Sequence, residues 1–165
     1  MDKVEILILR NLIYFEDYAR KVIPFVKKEY FESESHKIVF EEIYSFLSSY
    51  DKLPTKEAIS IEVEKRDDIT QETFRESSNI ITSLHDEPTE LSWLVNTTEK
   101  WCRDRAIYLA LMESIQLADN SDEKKGRDAI PGILSDALSV SFDNHIGHDY
   151  LEDYEERYEV YHRKE

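Results

Sequence analysis

His145 and His148, followed directly by Asp149, bring two imidazoles and a carboxylate to a spacing that a zinc ion could share. No second ligand pair accompanies them, so the group reads as a polar linker and no metal is expected. Acidic pairs offer another chemistry, at Glu41-Glu42, Asp67-Asp68 and Glu155-Glu156. Neighbouring residues on a helix point away from one another, and solvated faces account for these pairs better than acid–base work does. Cys102 is the sole cysteine, which excludes an internal disulfide and fits a reducing compartment. It lacks any local signature of a thiol nucleophile and reads as a small buried thiol on a helix. No G-x-x-x-x-G-K-[ST], G-x-S-x-G or H-E-x-x-H string occurs. The residues therefore indicate no catalytic site and no bound cofactor.

The charge balance narrows the partners. With 36 acidic against 21 basic residues the formal charge is -15, which opposes direct contact with a nucleic-acid backbone, where phosphates must be neutralised and counterions released. Such a surface favours solubility and basic partners. The first residues, Met1-Asp2-Lys3-Val4, lead into an apolar stretch interrupted by Glu5 and Arg10, so neither a signal peptide nor a membrane span is expected. The expected location is the cytoplasm.

Only 3 Gly and 4 Pro punctuate 165 residues, and the apolar positions fall at helical spacing, so the fold is expected to be all-α. Val4 to Ile13 is apolar nearly all round, as in a helix buried on several sides, and Pro24 should end a second helix carrying Tyr18 and Val22. The polar string Glu32-Ser33-Glu34-Ser35 opens a helix whose stripe is Val39, Ile43, Phe46, Leu47 and Tyr50. Thr55 can cap a helix reaching about Lys65; Ile59, Ile61 and Val63 alternate like a strand, but no second strand is present to pair with it. Thr70 is the next cap, before Phe74, Ser77, Ile80, Ile81 and Leu84, and the segment to Pro88 ends that helix. Residues 1–86 thus read as a compact helical head.

From Thr89 to about Ala118 neither proline nor glycine intervenes, and a three-four rhythm runs through Leu94, Trp101, Leu109, Met112 and Ile115. Thirty helical residues extend about 45 Å, more than a small head can bury. The chain can reverse near Gly126, and Ile130, Ile133, Leu134, Ala137 and Leu138 supply a returning stripe, with Pro131 tolerable near its start. Residues 89–142 are therefore expected to form a projecting antiparallel hairpin that drives self-association, with Trp101, Leu109, Met112, Ile115, Ile130, Ile133, Leu134 and Leu138 in the interface. Trp93 and Trp101 read as core or hairpin-interface residues. In residues 143–165 a tethered helix starts at Asp149, presenting Tyr150, Leu151, Tyr154, Tyr158 and Tyr161 on one face and acids on the other. The acidic flanks favour docking on protein over stacking on bases.

The strings Tyr30-Phe31-Glu32-Ser33, Ser92-Trp93-Leu94-Val95, Ala137-Leu138-Ser139-Val140-Ser141-Phe142-Asp143, Gly147-His148-Asp149 and Asp153-Tyr154-Glu155 occur in an order that points to one family. From about Ile6 onward the chain resembles the beginning of the DnaB-type replicative DNA helicases of T-even-like bacteriophages, least closely between Asp119 and Arg127. The resemblance implies hexameric rings with a collar of helical heads and paired hairpins above a tier of RecA-like motors. It also implies that the linker helix docks onto the neighbouring motor. On that footing the chain is a non-catalytic collar that assembles with itself and offers a surface to primase, and to a helicase loader, in an infected bacterial cell. ATP and magnesium belong to a motor domain outside this chain, and DNA is met only through the complete ring. The alternative is a free-standing helical adaptor or helicase-loader protein; an enzyme with a cryptic carboxylate or histidine site ranks third.

Overall fold

The computed structural model describes residues 3–119 and 124–142, and all regular structure among them is helical. α1 (Lys3–Tyr14) and α2 (Glu16–Val22) precede a 3-10 turn at Lys28–Tyr30. α3 (Glu34–Tyr50), α4 (Lys56–Glu64) and α5 (Gln71–Ser83) follow, then the 29-residue α6 (Leu91–Asp119), α7 (Lys124–Asp128) and α8 (Ile130–Leu138). No helix among the described residues is long and apolar enough to cross a membrane. The expected helix at Asp149, with Tyr150, Leu151, Tyr154, Tyr158 and Tyr161, lies outside the described residues, as do His145 and His148.

Capping side chains set the starts of the head helices. Ser33 accepts a hydrogen bond from the His36 amide at 3.1 Å, Thr55 from Ala58 at 3.1 Å and Thr70 from Thr73 at 3.0 Å. Each satisfies one of the amides that a helix start leaves unpaired. Thr70→Ala is therefore expected to lower stability by about 1 kcal/mol, measured as a reduced urea midpoint at unchanged slope. α3 ends on Asp51 in the left-handed region, φ 55°, and Arg20 holds that residue through its Oδ1 at 2.7 Å and its carbonyl at 2.9 Å. The far end of α5 is closed by Lys56, whose Nζ donates to the Thr82 and Leu84 carbonyls at 2.9 Å each.

α3 forms the middle of the head, packing on α1 to one side and on α4 and α5 to the other. Ile38, Val39 and Ile43 meet a core that includes Ile8, Leu9 and Leu12 of α1, Ile59 and Val63 of α4, and Ile80 and Ile81 of α5. The strand-like alternation of Ile59, Ile61 and Val63 resolves as one helix face: Ile59 and Val63 are buried while Ile61 is exposed. The core does not stop at residue 86. Leu94, Thr98, Trp101 and Cys102 on the first half of α6 are buried in it, and the Tyr18 and Thr98 hydroxyls hydrogen bond at 2.6 Å.

Burial pushes the Cys102 thiol up to about 12 and the Tyr30 phenol to about 12. The folded state keeps these protons after an unfolded thiol, ionising near 8.5, has lost its own. Stability is therefore expected to fall as pH rises between about 8.5 and 12, and Cys102→Ala should flatten part of that decline. At neutral pH, maleimide labelling of Cys102 should await unfolding, because the reactive thiolate is scarce and covered; rapid labelling of the native chain would contradict the burial.

Candidate self-association surface

Alternate three- and four-residue steps along α6 pass through Leu94, Thr98, Trp101, Arg105, Tyr108, Met112 and Ile115, which places all seven on one stripe. The first three are sealed in the head, and the last three are 50%, 46% and 54% exposed. Arg105 marks the boundary. Its Nε donates to the Tyr30 carbonyl, its Nη1 lies 3.7 Å from Glu32, and its guanidinium covers the Tyr108 ring at 4.9 Å. Beyond it α6 continues for about 20 Å with Leu111 also exposed, so an apolar face that begins as core runs on into the open.

α8 packs back along α6. Ala106, Leu109 and Ala110 of α6 line a shared groove with Ile133 and Ala137 of α8, and small side chains at Ala110, Ser114 and Ala137 are buried in the hairpin. Arg127 ties the tip, donating to the Ala118 carbonyl at 3.4 Å. At the base Arg103 donates to the Val140 carbonyl at 2.9 Å, and Glu99 accepts from the Phe142 amide at 2.9 Å and the Ser141 hydroxyl at 3.1 Å. Phe142 stacks on Phe25 with ring centroids 4.5 Å apart. Gly126, expected at the reversal, lies inside α7, while residues 120–123 are outside the described set.

These contacts sort the residues expected in the interface. Met112, Ile115 and the 64%-exposed Leu138 are open to a partner. Leu109 and Ile133 line the groove within the hairpin, and Ile130 and Leu134 are half-buried. Trp101 is not offered to a partner: it is 6% exposed, edge-on to Tyr30 at 6.0 Å and tilted against Phe31 at 4.9 Å. Its stripe position faces the head at that level of α6. Tyr108 and Leu111 were not anticipated, although Tyr108 sits seven residues after Trp101 and the spacing alone would have placed it there. Trp93, expected in the core or hairpin interface, is instead 52% exposed at the start of α6.

A second polar constellation lies under the surface of the head. Glu5 and His36 are 0% and 4% exposed in their side chains, with Oε1 and Nδ1 2.5 Å apart; the other Glu5 oxygen accepts from the Glu32 amide at 3.1 Å. The pair joins α1 to α3 and, with Glu32, Ser33 and Ser35, lines an open cavity of about 690 Å³. Sequence reading missed it, the available signal being one carboxylate inside an apolar run. Of the acidic pairs, Asp67-Asp68 is exposed as expected, Glu155-Glu156 lies outside the described residues, and Glu41-Glu42 differs from expectation. Glu41, Glu42 and Asp68 converge on the Arg66 guanidinium at 3.2, 2.8 and 2.9 Å, a partly buried clamp in place of solvated faces for Glu41 and Glu42. No cluster of metal ligands occurs among the described residues.

No family model matches the chain. Over 166 aligned residues it is 36% identical to the DnaB-like replicative helicase of Enterobacteria phage T4, an alignment that takes in 96% of this chain and 35% of that helicase. Identity of this order across nearly the whole chain makes it a homologue of that portion of a phage DnaB-like replicative helicase. The chain spans about a third of the length of the relative it matches.

Proposed function

We propose that this chain, homologous to part of a replicative helicase, is the amino-terminal collar of a hexameric DNA helicase: it assembles with copies of itself through the hairpin and performs no chemistry. The observation that carries the reading is the α6 stripe, buried from Leu94 to Trp101 and open from Tyr108 to Ile115. An apolar face that outruns its own core favours a partner, and in a ring the partner is another hairpin. ATP and magnesium act in a motor domain, DNA passes through the assembled ring, and primase and a loader dock on the collar from the surrounding cytoplasm. The charge of -15 supports a collar that organises motors around DNA in preference to one that grips its phosphates.

In this reading the segment with Tyr150, Leu151, Tyr154, Tyr158 and Tyr161 links collar to motor by docking on the neighbouring subunit. Tethering raises the effective concentration of an otherwise weak contact. Tyr154→Ala combined with Tyr158→Ala in the complete polypeptide is expected to reduce ATP-driven strand separation by about tenfold or more, with the melting of the head unchanged. Unwinding at the unaltered rate would remove the linker role.

A further inference from the structure

His36 leaves one ring nitrogen unused. Its side chain is only 4% exposed, and Nδ1 lies 2.5 Å from the Glu5 carboxylate. A carboxylate accepts and does not donate, so Nδ1 carries the proton and Nε2 of the neutral ring holds a lone pair. Among the described residues Nε2 has no hydrogen-bond partner, yet it is not sealed from solvent, and the ring lines the open cavity of about 690 Å³ between α1, the start of α3 and α5. The same cavity is lined by Glu32 and by Glu76 and Asn79, which stand three residues apart on one face of α5. Among the described residues no lysine or arginine lines it. Arg105 lies 3.7 Å from Glu32, beyond hydrogen-bond reach, and Glu76 has no ion-pair or hydrogen-bond partner among the described residues. A buried imidazole lone pair and two exposed carboxylates thus surround one space with no cation inside it.

We infer that this cavity receives an arginine side chain of a partner protein, its guanidinium donating to His36 Nε2 at the inner end and to Glu76 and Glu32 at the mouth. A guanidinium offers five donors in one plane, enough to meet acceptors at both ends of the space, and it gives up its hydration more readily than an ammonium does. A bound metal ion fits less well, because no three ligating side chains come close enough among the described residues to share one. Free arginine fits less well too. Its own carboxylate would meet Glu32 and Glu76 with no lining cation to receive it, so the site selects an arginine carried within a polypeptide. The chain's charge of -15 favours the approach of such a basic segment. The cavity shares no residue with the open part of the α6 stripe, and the inference stands or falls independently of the collar reading.

The test uses the full chain with ¹⁵N-labelled histidine, in which His85, His145, His148 and His162 are replaced by Gln so that a single imidazole is observed. The probe is the blocked peptide acetyl-Ala-Arg-Ala-amide, alongside counterparts with lysine or citrulline in place of arginine, and free arginine. In the unliganded chain Nε2 is expected to resonate as an unprotonated nitrogen, and the arginine peptide to move it saturably. The lysine and citrulline peptides and free arginine should each bind about tenfold more weakly or worse. Glu76→Gln, at an exposed side chain, should weaken the arginine peptide by about tenfold, while Glu72→Gln, on the same helix but outside the cavity, leaves it unchanged. A proton on Nε2 in the unliganded chain, or no saturable shift, overturns the proposal. So does equal binding of the lysine or citrulline peptide, or equal weakening by Glu72→Gln and Glu76→Gln, which would reduce the effect to diffuse charge. Tighter binding of free arginine than of the blocked peptide overturns it by showing a small-molecule site, and a shift with zinc chloride but none with the peptide overturns it by showing a metal site.

Discussion

Glu5→Ala is expected to destabilise the head by about 1–3 kcal/mol, because it leaves buried hydrogen-bonding groups without their partner. The substitution removes the carboxylate that faces His36 at 2.5 Å and that accepts from the Glu32 amide, leaving the buried His36 ring without that partner. An unpaired buried donor loses its solvation without compensation, and that asymmetry makes breaking such a pair more damaging than replacing it whole. Against a total stability of about 5–15 kcal/mol for a domain of this kind, much of the native population would be lost on warming. Urea denaturation of Glu5→Ala, His36→Ala and the double variant measures the coupling directly. The double variant should lose less than the sum of the singles, whereas simple additivity would mean that the two side chains act separately.

The second large effect is on assembly. Tyr108→Asp, Met112→Asp and Ile115→Asp together are expected to weaken self-association by a hundredfold or more, since each apolar side chain fully buried in an interface is worth about 1.5–3 kcal/mol and each tenfold in affinity takes about 1.4 kcal/mol. The three positions are about half exposed, so the same variant should melt close to the unaltered chain. Sedimentation velocity across a concentration series separates the two readouts. By contrast, Ile133→Asp should lower the melting temperature as well, because Ile133 lines the groove inside the hairpin, and loss of assembly there would report on folding as much as on contact.

The local signals were the ones a single chain can read. Ser33, Thr55 and Thr70 announced helix starts because capping depends on residue type within one turn, and each side chain does cap the expected helix. The long α6 followed from an uninterrupted three-four rhythm. What the rhythm alone did not show is where along α6 the stripe passes from the head to open solvent, since that depends on which elements pack beside it. Trp101 reads both as core and as a partner contact and is core, whereas Tyr108, one heptad on, is the first exposed position of the same stripe. Trp93 differs for a related reason: burial of a tryptophan is the common outcome, whereas at the start of α6 the described residues leave it 52% exposed. Glu5 and His36 are 31 residues apart, and nothing local marks them as partners. Arg66 gathers Glu41, Glu42 and Asp68 by the same kind of long-range packing.

The central claim, that the open part of the α6 stripe is where copies of this chain meet in a ring, is tested most directly by native mass spectrometry of the complete helicase polypeptide with and without the Tyr108, Met112 and Ile115 substitutions. Hexamers are expected for the unaltered protein and a shift to monomers and small species for the triple variant, with the head still folded. Hexamers persisting unchanged in the variant would contradict it.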